Sequence, residues 1–172
     1  MEEQTTGCLV CGAPLEYFPS QIEMECTYCH KTFMSNARCV NGHFICDSCH
    51  EQMGLRVIED ICRHTDSKDP VAIMKKIILS PYIYMHGPEH HVLVGSALLA
   101  AYKNAGGELD LDAALEEMRN RGAQVPGGIC GLWGTCGAAV STGIFVSLIT
   151  GASPLSGKEW GLCNEMTSRS LG

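Results

Sequence analysis

Hydrophobic and polar positions change their spacing once along this chain. Early in the chain, apolar and polar residues alternate in short patches such as 15–18, a pattern typical of short β-hairpins. Later, apolar residues recur at three- and four-residue spacing, as at Leu55 and Ile58, which predicts amphipathic helices. The pattern therefore predicts a small hairpin module over residues 1–52, followed by an all-α helical domain over residues 53–172.

Capping residues, glycines and prolines predict where the helices begin and end. Asp69 before Pro70 is an N-cap followed by a first-turn proline, and the helix it opens should end before Pro81. Further helices are predicted from Gly87-Pro88 to about Asn104, from Asp110 or Asp112 to near Gly122, over 136–150, and from about Gly157 to Ser170.

The helix predicted over 136–150 carries a ridge of small residues spaced four apart, namely Ala139, Gly143, Ser147 and Gly151. Such a ridge lets the backbone of another helix approach closely. We therefore expect this helix to lie at the centre of the second domain.

The composition is that of a globular protein, with 45% hydrophobic and 18% charged residues among 172. A formal net charge of −7 argues against binding to nucleic acid, because affinity for a polyanion comes from clustered Lys and Arg. The longest apolar stretch, Cys136 to Ala152, is shorter than a membrane span and contains several Ser and Thr residues, which predicts a buried helix.

The chain starts Met1-Glu2-Glu3-Gln4, without the basic start and apolar core of a secretory signal. We therefore expect a cytoplasmic protein in a reducing environment. There, eleven cysteines are more often metal ligands or redox groups than disulfides.

Eight of the early residues form four pairs with metal-ligand spacing: Cys8 with Cys11, Cys26 with Cys29, Cys39 with His43, and Cys46 with Cys49. A Cys-x-x-Cys turn directs two thiolates toward one ion at about 2.3 Å with tetrahedral angles. Eight ligands complete two four-coordinate sites, which predicts a zinc-ribbon-like module with two structural zinc ions.

The spacing leaves two ways to pair these ligands. Sequential pairing joins the first two pairs and then the last two, and it is favoured because the segment 39–49 is compact enough to close a site alone. Cross-braced pairing joins the first pair to the third and the second to the fourth. Iron is an alternative metal at an all-thiolate site. Cys-x-x-Cys-His at 26–30 and 46–50 also matches a haem c attachment pattern, which a cytosolic setting disfavours.

A second group of candidate residues surrounds a predicted helix start: His86, Glu89, His90 and His91. Neutral imidazoles there would suit metal ligation or acid–base catalysis, with Glu89 or a histidine transferring protons. The alternative is a capped helix whose histidines are hydrogen-bonded locally.

A third group is a glycine-rich loop with Cys130 and Cys136, which Cys163 on the last helix could join. A helix N-terminus favours the thiolate form of a cysteine such as Cys136, a candidate catalytic residue. The three cysteines could hold an iron–sulfur cluster or a second metal. The alternative for Cys163, and the favoured interpretation for Cys62, is a small buried apolar side chain.

The ordered motifs Cys-x-x-Cys-Gly, Cys-x-x-Cys-His, His-Gly-Pro-Glu-His-His and Gly-Gly-Ile-Cys-Gly resemble a prokaryotic domain family of unknown function. That family occurs mainly in anaerobes, alone or joined to methyltransferase-like domains. The chain is also similar to small redox proteins with a Cys…Gly-Cys-Ala-x-x-Gly…Cys-Cys motif, although Thr135 and Gly137 flank Cys136 here. The resemblance implies an anaerobic cytosolic setting.

Three functions follow from these observations. The first is a metalloprotein with redox, sulfur-transfer or methyl-transfer chemistry at the later Cys/His residues, serving a methyltransferase-like or redox enzyme as partner. The second is a non-catalytic zinc-binding adaptor for protein docking. The third is a nucleic-acid-binding zinc ribbon. All three are compatible with a monomer or a homo-oligomer.

Overall fold

The computed structural model describes residues 7–84 and 87–172. The described part of the chain forms one two-stranded sheet followed by seven helices, which confirms the expected order of a hairpin and then helices. The elements are β1 (Leu15–Glu25), β2 (Thr32–Cys39), α1 (Asp47–His64), α2 (Pro70–Ile78), α3 (His90–Asn104), α4 (Leu111–Gly122), α5 (Ile129–Leu132), α6 (Gly137–Thr150) and α7 (Lys158–Leu171).

The two strands pair antiparallel, so the chain reverses direction between Glu25 and Thr32. Leu15 pairs with Cys39 at the open end of the hairpin, and Glu25 pairs with Thr32 at the turn end. The register shifts between Tyr17 and Ile22. Pro19 lies in this interval, and proline cannot donate a hydrogen bond to a partner strand.

The predicted helix starts are confirmed where a side-chain cap was expected. Asp69 accepts a hydrogen bond from the backbone N–H of Val71 at 2.8 Å, and Pro70 occupies the first position of α2. Asp110 rather than Asp112 caps α4, accepting from the N–H of Ala113 at 3.2 Å. The short α5 was not predicted, because four residues are too few to show a helical period.

Helix α1 joins the hairpin region to the rest of the molecule. It begins at Asp47 and continues across residue 52, so the same helix carries Cys49 and the core residues Leu55 and Ile58. The division into residues 1–52 and 53–172 stays a prediction.

The hydrophobic core lies between the helices, and α3 is at its centre. Helix α3 packs against α1, α2, α4 and α6, and its small residues allow this close packing. At Gly95, a Cβ would meet the Ser141 backbone oxygen of α6 at 2.9 Å. Helix α6, which was expected at the centre, packs against α3, α4 and α7, and α3 packs against one helix more.

The small residues of α6 do permit a close helix approach, as predicted, at Gly143. A Cβ there would meet the backbone oxygen of Cys163 on α7 at 3.0 Å. Gly151 has a different role, because it ends α6 in the left-handed conformation, with φ 66°. None of the described helices has the length and apolar character needed to cross a membrane.

Candidate metal centre

The eight early Cys and His residues come together as two four-residue groups. Within each group, one ligand atom per residue lies within 4.8 Å of all the others. We call them group one (Cys8, Cys11, Cys39 and His43) and group two (Cys26, Cys29, Cys46 and Cys49). Either group can hold a metal ion.

This arrangement is cross-braced, so the expectation of sequential pairing was wrong. The reason is the hairpin register. Because Leu15 pairs with Cys39, the knuckle just before β1 meets the end of β2 at the open end of the hairpin. Cys26 follows β1 directly, at the turn end, where the chain returning through Cys46 completes the second group.

The atoms of group one are spaced for tetrahedral coordination. The sulfurs of Cys11 and Cys39 are 3.5 Å apart, and the sulfur of Cys8 lies 3.8 Å from Nδ1 of His43. Ligands bonded to zinc at about 2.3 Å with tetrahedral angles lie roughly 3.8 Å from one another. These two separations are therefore close to those expected between ligands around one ion.

The backbone of group one forms two tight turns that aim these atoms. Gly12 donates to the Cys8 carbonyl at 2.7 Å, and Gly42 donates to the Cys39 carbonyl at 2.7 Å. Both glycines have positive φ, 71° and 85°, which residues with a Cβ rarely adopt. In addition, the N–H of Asn41 donates to the Cys39 sulfur at 3.3 Å, a contact that stabilises a thiolate.

Group two is built from the hairpin turn and the start of α1. The sulfurs of Cys29 and Cys46 are 3.8 Å apart, and the N–H of Cys46 donates to the Cys26 sulfur at 3.3 Å. Cys46 caps α1 and Cys49 lies in its first turn, so the helix holds these two ligands three residues apart on one face.

In group one, the pKa values of two of the thiols are shifted in opposite directions. A hydrogen bond from the backbone of Ala13, with a second from the Asn41 side chain, lowers the pKa of Cys11 to about 6. Burial raises the pKa of Cys39, and the neighbouring sulfur of Cys11 raises it further. The thiolate of Cys11 therefore forms readily, and it opposes the ionisation of Cys39.

In group two as well, the pKa of one cysteine is lowered and that of another is raised. Burial alone would raise the pKa of Cys26, but hydrogen bonds from the backbone of Cys29 and Cys46 outweigh it and lower the value to about 6. Burial and the neighbouring sulfurs raise the pKa of Cys49 to about 12. A divalent cation at the centre of either group would compensate the negative charge and displace the remaining protons.

A haem attachment at the two Cys-x-x-Cys-His motifs finds no support in the geometry. All four sulfurs of those motifs converge on one point in group two. His30, which follows the first motif, instead contacts the Glu25 carboxylate at 2.9 Å on the surface.

His50 is a buried residue that the sequence analysis considered only as the histidine of a haem attachment pattern. It is 5% exposed, its ring stacks on Tyr84 at 3.7 Å, and its Nε2 has no hydrogen-bond partner among the described residues. Its position four residues before Gly54 and eight before Ile58 continues the buried face of α1. Extending the helical period of Leu55 and Ile58 backwards could have revealed it.

Glu89, His90 and His91 hold the start of α3 in place. Glu89 is 2% exposed and accepts from the Tyr84 N–H at 3.0 Å. His90 Nε2 donates to the Tyr84 carbonyl at 2.7 Å, whereas His91 Nδ1 donates to the Val125 carbonyl at 3.1 Å. These contacts agree with the alternative of locally hydrogen-bonded histidines.

His86 lies outside the described residues. Among those that are described, groups one and two are the only sets of three or more candidate ligands brought within 4.8 Å of one another. The expectation of a metal centre at the start of α3 therefore finds no support in residues 87–91.

The three later cysteines are not brought together as a ligand group in the described chain. Cys130 and Cys136 are exposed on the glycine-rich segment before α6. Cys163 packs beside Gly143, seven residues along α6 from Cys136, which corresponds to about 10 Å along the helix axis. The expected three-cysteine cluster is thus not formed, and Cys163 packs against the hydrophobic core instead.

The helical part of the chain matches a known family. The model of a family of unknown function (DUF5714) matches residues 58–172. The chain belongs to this family. The match begins inside α1 and includes Cys62, Cys130, Cys136 and Cys163, whereas all eight residues of groups one and two precede it. No curated protein and no solved structure matches the chain.

Proposed function

We propose that this protein is a non-catalytic zinc-binding adaptor, in which two zinc ions hold residues 8–49 in the shape needed to dock a protein partner. The observation that carries the proposal is the convergence of eight ligand atoms into two complete four-ligand groups. Four protein ligands leave no coordination position for a substrate, and closed sites of this kind are structural.

The chemistry of the ligands supports zinc. Three thiolates with one imidazole, and four thiolates, are both established ligand sets for structural zinc in a tetrahedral site. Iron can also occupy a four-thiolate site, so group two is the place where the metal needs to be identified. The zinc-ribbon-like module expected from sequence corresponds to a two-stranded hairpin whose two ligand groups are cross-braced.

Redox, sulfur-transfer or methyl-transfer chemistry at a third centre is not part of this proposal. Those roles depended on a shared centre of Cys130, Cys136 and Cys163 with the histidines at the start of α3, and the described residues form no such group of three or more ligands. Cys130 and Cys136 are better explained as neighbours of an exposed apolar surface, which includes Leu132 (79% exposed) and Trp133 (70% exposed).

That exposed surface supports a docking role. A contiguous patch of exposed apolar side chains commonly marks a contact with another protein, and Leu132 and Trp133 are adjacent in the chain. The family resemblance in the sequence implies a methyltransferase-like or redox enzyme as the partner. We expect docking to require both this surface and the zinc-held hairpin.

Affinity purification from the source organism tests the proposal. Tagged protein with two zinc ions should retain a defined methyltransferase-like or redox enzyme. A Leu132→Ser/Trp133→Ser variant should lose that enzyme while keeping its zinc. Leu155→Ser, a matched control at another fully exposed leucine (97% exposed), should retain it. Equal retention by all three proteins, or by zinc-depleted protein, would contradict an adaptor role.

A further inference from the structure

A cavity of about 450 Å³ lies between one face of the hairpin and the loop before residue 85. Its volume is in the range of small-molecule sites. Three aromatic side chains line it (Tyr17, Phe44 and Tyr84), together with Asp47 and the group-one ligand His43. None of the features described above explains this combination.

The aromatic rings of the cavity are accessible. Tyr17 is 73% exposed and Tyr84 is 54% exposed. The ring of His50 stacks on one face of Tyr84 at 3.7 Å, which leaves the opposite face uncovered by that contact. The faces of aromatic rings carry partial negative charge and attract cations.

Two charged side chains, Asp47 and Arg38, line the cavity. Asp47 is exposed in the first turn of α1 and forms no ion pair among the described residues. Its carboxylate acts on Tyr84, since the pKa of Tyr84 is raised first by burial and then by Asp47. With a divalent ion bound, the three thiolates of group one would still leave an excess negative charge beside His43.

Arg38 also touches the cavity, but its positive charge is directed elsewhere. Its Nε donates to the Glu16 carboxylate at 2.7 Å, and its guanidinium lies over the ring of Phe18 at 5.1 Å. Successive strand residues point to opposite faces, so Glu16 lies on the other face of the hairpin from Tyr17. The ion pair with Glu16 therefore neutralises Arg38 away from the cavity.

We propose that this cavity binds an organic ammonium ion, supplied either by a free small molecule or by a lysine side chain of a partner protein. The aromatic side chains that line the cavity contact the cation, and Asp47 compensates its charge. The inference depends on the proposed zinc loading for part of the negative charge.

The test uses zinc-loaded full-length protein and follows backbone amide signals of residues 35–47 by ¹H–¹⁵N NMR. Choline is the small-molecule probe, and 3,3-dimethylbutan-1-ol is its neutral isostere. A Gly-Gly-Lys-Gly-Gly peptide and its norleucine analogue form the second pair. We expect saturable shifts with at least one cation and none with its neutral partner. Tighter binding of choline points to a free ligand, and tighter binding of the peptide to a protein.

Matched variants locate the binding. Asp47→Asn should weaken binding of the cation roughly threefold to fivefold, as expected for a partly screened charge. Asp60→Asn removes the same charge from α1 outside the cavity and should have no effect. Tyr17→Leu should weaken binding roughly threefold, and Tyr17→Phe should restore it because the ring is kept.

Two results would overturn the inference: equal shifts with the cations and their neutral analogues, or unchanged affinity in Asp47→Asn. Zinc content measured on the same samples separates this failure from that of the proposed function. Protein that holds two zinc ions but binds no cation would contradict only the proposed cation site. Protein that holds no zinc would contradict the proposed adaptor function.

Discussion

The hairpin region and the helical region bury different kinds of side chain. Between residues 7 and 46, the buried hydrophobic residues are Cys8, Met24, Cys26, Cys39 and Cys46, all but one of them candidate metal ligands. The helical region buries branched aliphatic side chains, among them Ile58, Ile73, Ile77, Leu93, Leu99 and Leu115.

This contrast shows that the two regions are stabilised by different forces. The helical region has a continuous apolar core, which can stabilise it without a ligand. Between residues 7 and 46, Met24 is the only apolar side chain other than cysteine that is buried, and a segment of this size needs metal or disulfide bonds to fold. The cysteines are all free, and eight of the early residues form groups that could hold metal ions, so the proposed ions would supply this stabilisation.

The two regions should differ most in zinc content and stability when one buried cysteine is replaced in each. Cys26→Ala removes a ligand of group two, and zinc in small zinc-binding peptides contributes about 10–16 kcal/mol of apparent binding free energy. We expect this variant to lose one zinc ion and the fold of the hairpin turn. Cys62→Ala, equally buried but in the helical core, should keep two zinc ions and lose on the order of 1 kcal/mol. Elemental analysis and denaturation of both variants check this, and equal zinc content would count against the comparison.

A substitution that leaves an empty space in the helical core should have the opposite effect, lowering stability without loss of zinc. Leu99 is completely buried, and Leu99→Ala should lower the free energy of unfolding of the helices by about 2–5 kcal/mol. Zinc content should not change. Urea denaturation followed by circular dichroism measures the effect, with the exposed Leu132→Ala as the control, expected within about 0.5 kcal/mol of the parent. Loss of zinc in Leu99→Ala would show that the regions are not independent.

The contact between α6 and α7 should respond in opposite directions to two glycine substitutions. Gly143→Ala places a Cβ 3.0 Å from the Cys163 backbone oxygen and against the Thr167 side chain, so we expect a loss of about 1–3 kcal/mol. Gly161→Ala, where a Cβ would meet nothing within 4 Å, should gain about 0.5–1 kcal/mol from helix propensity. Thermal unfolding of the two variants gives the sign of each change, and a stabilised Gly143→Ala would contradict the close approach.

Buried and exposed cysteines should differ in their rate of alkylation, which can be measured on the protein without any substitution. Burial raises the pKa of Cys62 to about 12, so its thiol stays protonated at neutral pH and its reaction with iodoacetamide becomes faster only as the pH approaches that value. The exposed Cys130 and Cys136 should be modified first in zinc-loaded protein. Peptide mass mapping at pH 7 and pH 9 identifies the modified sites. Early labelling of Cys62 would contradict its buried position.

Most of the helical region could be predicted from sequence because its signals are local. Asp69-Pro70 and Asp110 define helix starts through contacts within three residues. The identity of the early ligands was also local, since each pair lies within one turn. Cys62 is confirmed as a core side chain, as its position on an apolar helix face predicted.

The way the pairs combine could not be predicted from spacing. It depends on the strand register, in which Leu15 meets Cys39 across 24 positions of sequence, and short spacings carry no information about such a contact. The cluster expected for the later cysteines could not be predicted for a related reason. Their proximity depended on how α7 packs on α6, and Gly143 rather than Cys136 lies beside Cys163.

The most direct test of the account is amide hydrogen exchange before and after removal of metal with a strong chelator. We predict two zinc ions per chain beforehand. After chelation, amides of residues 15–39 should lose their protection, whereas those of α3 and α6 should keep it. Unchanged protection of the hairpin in protein freed of metal would contradict the claim that bound ions hold this region together.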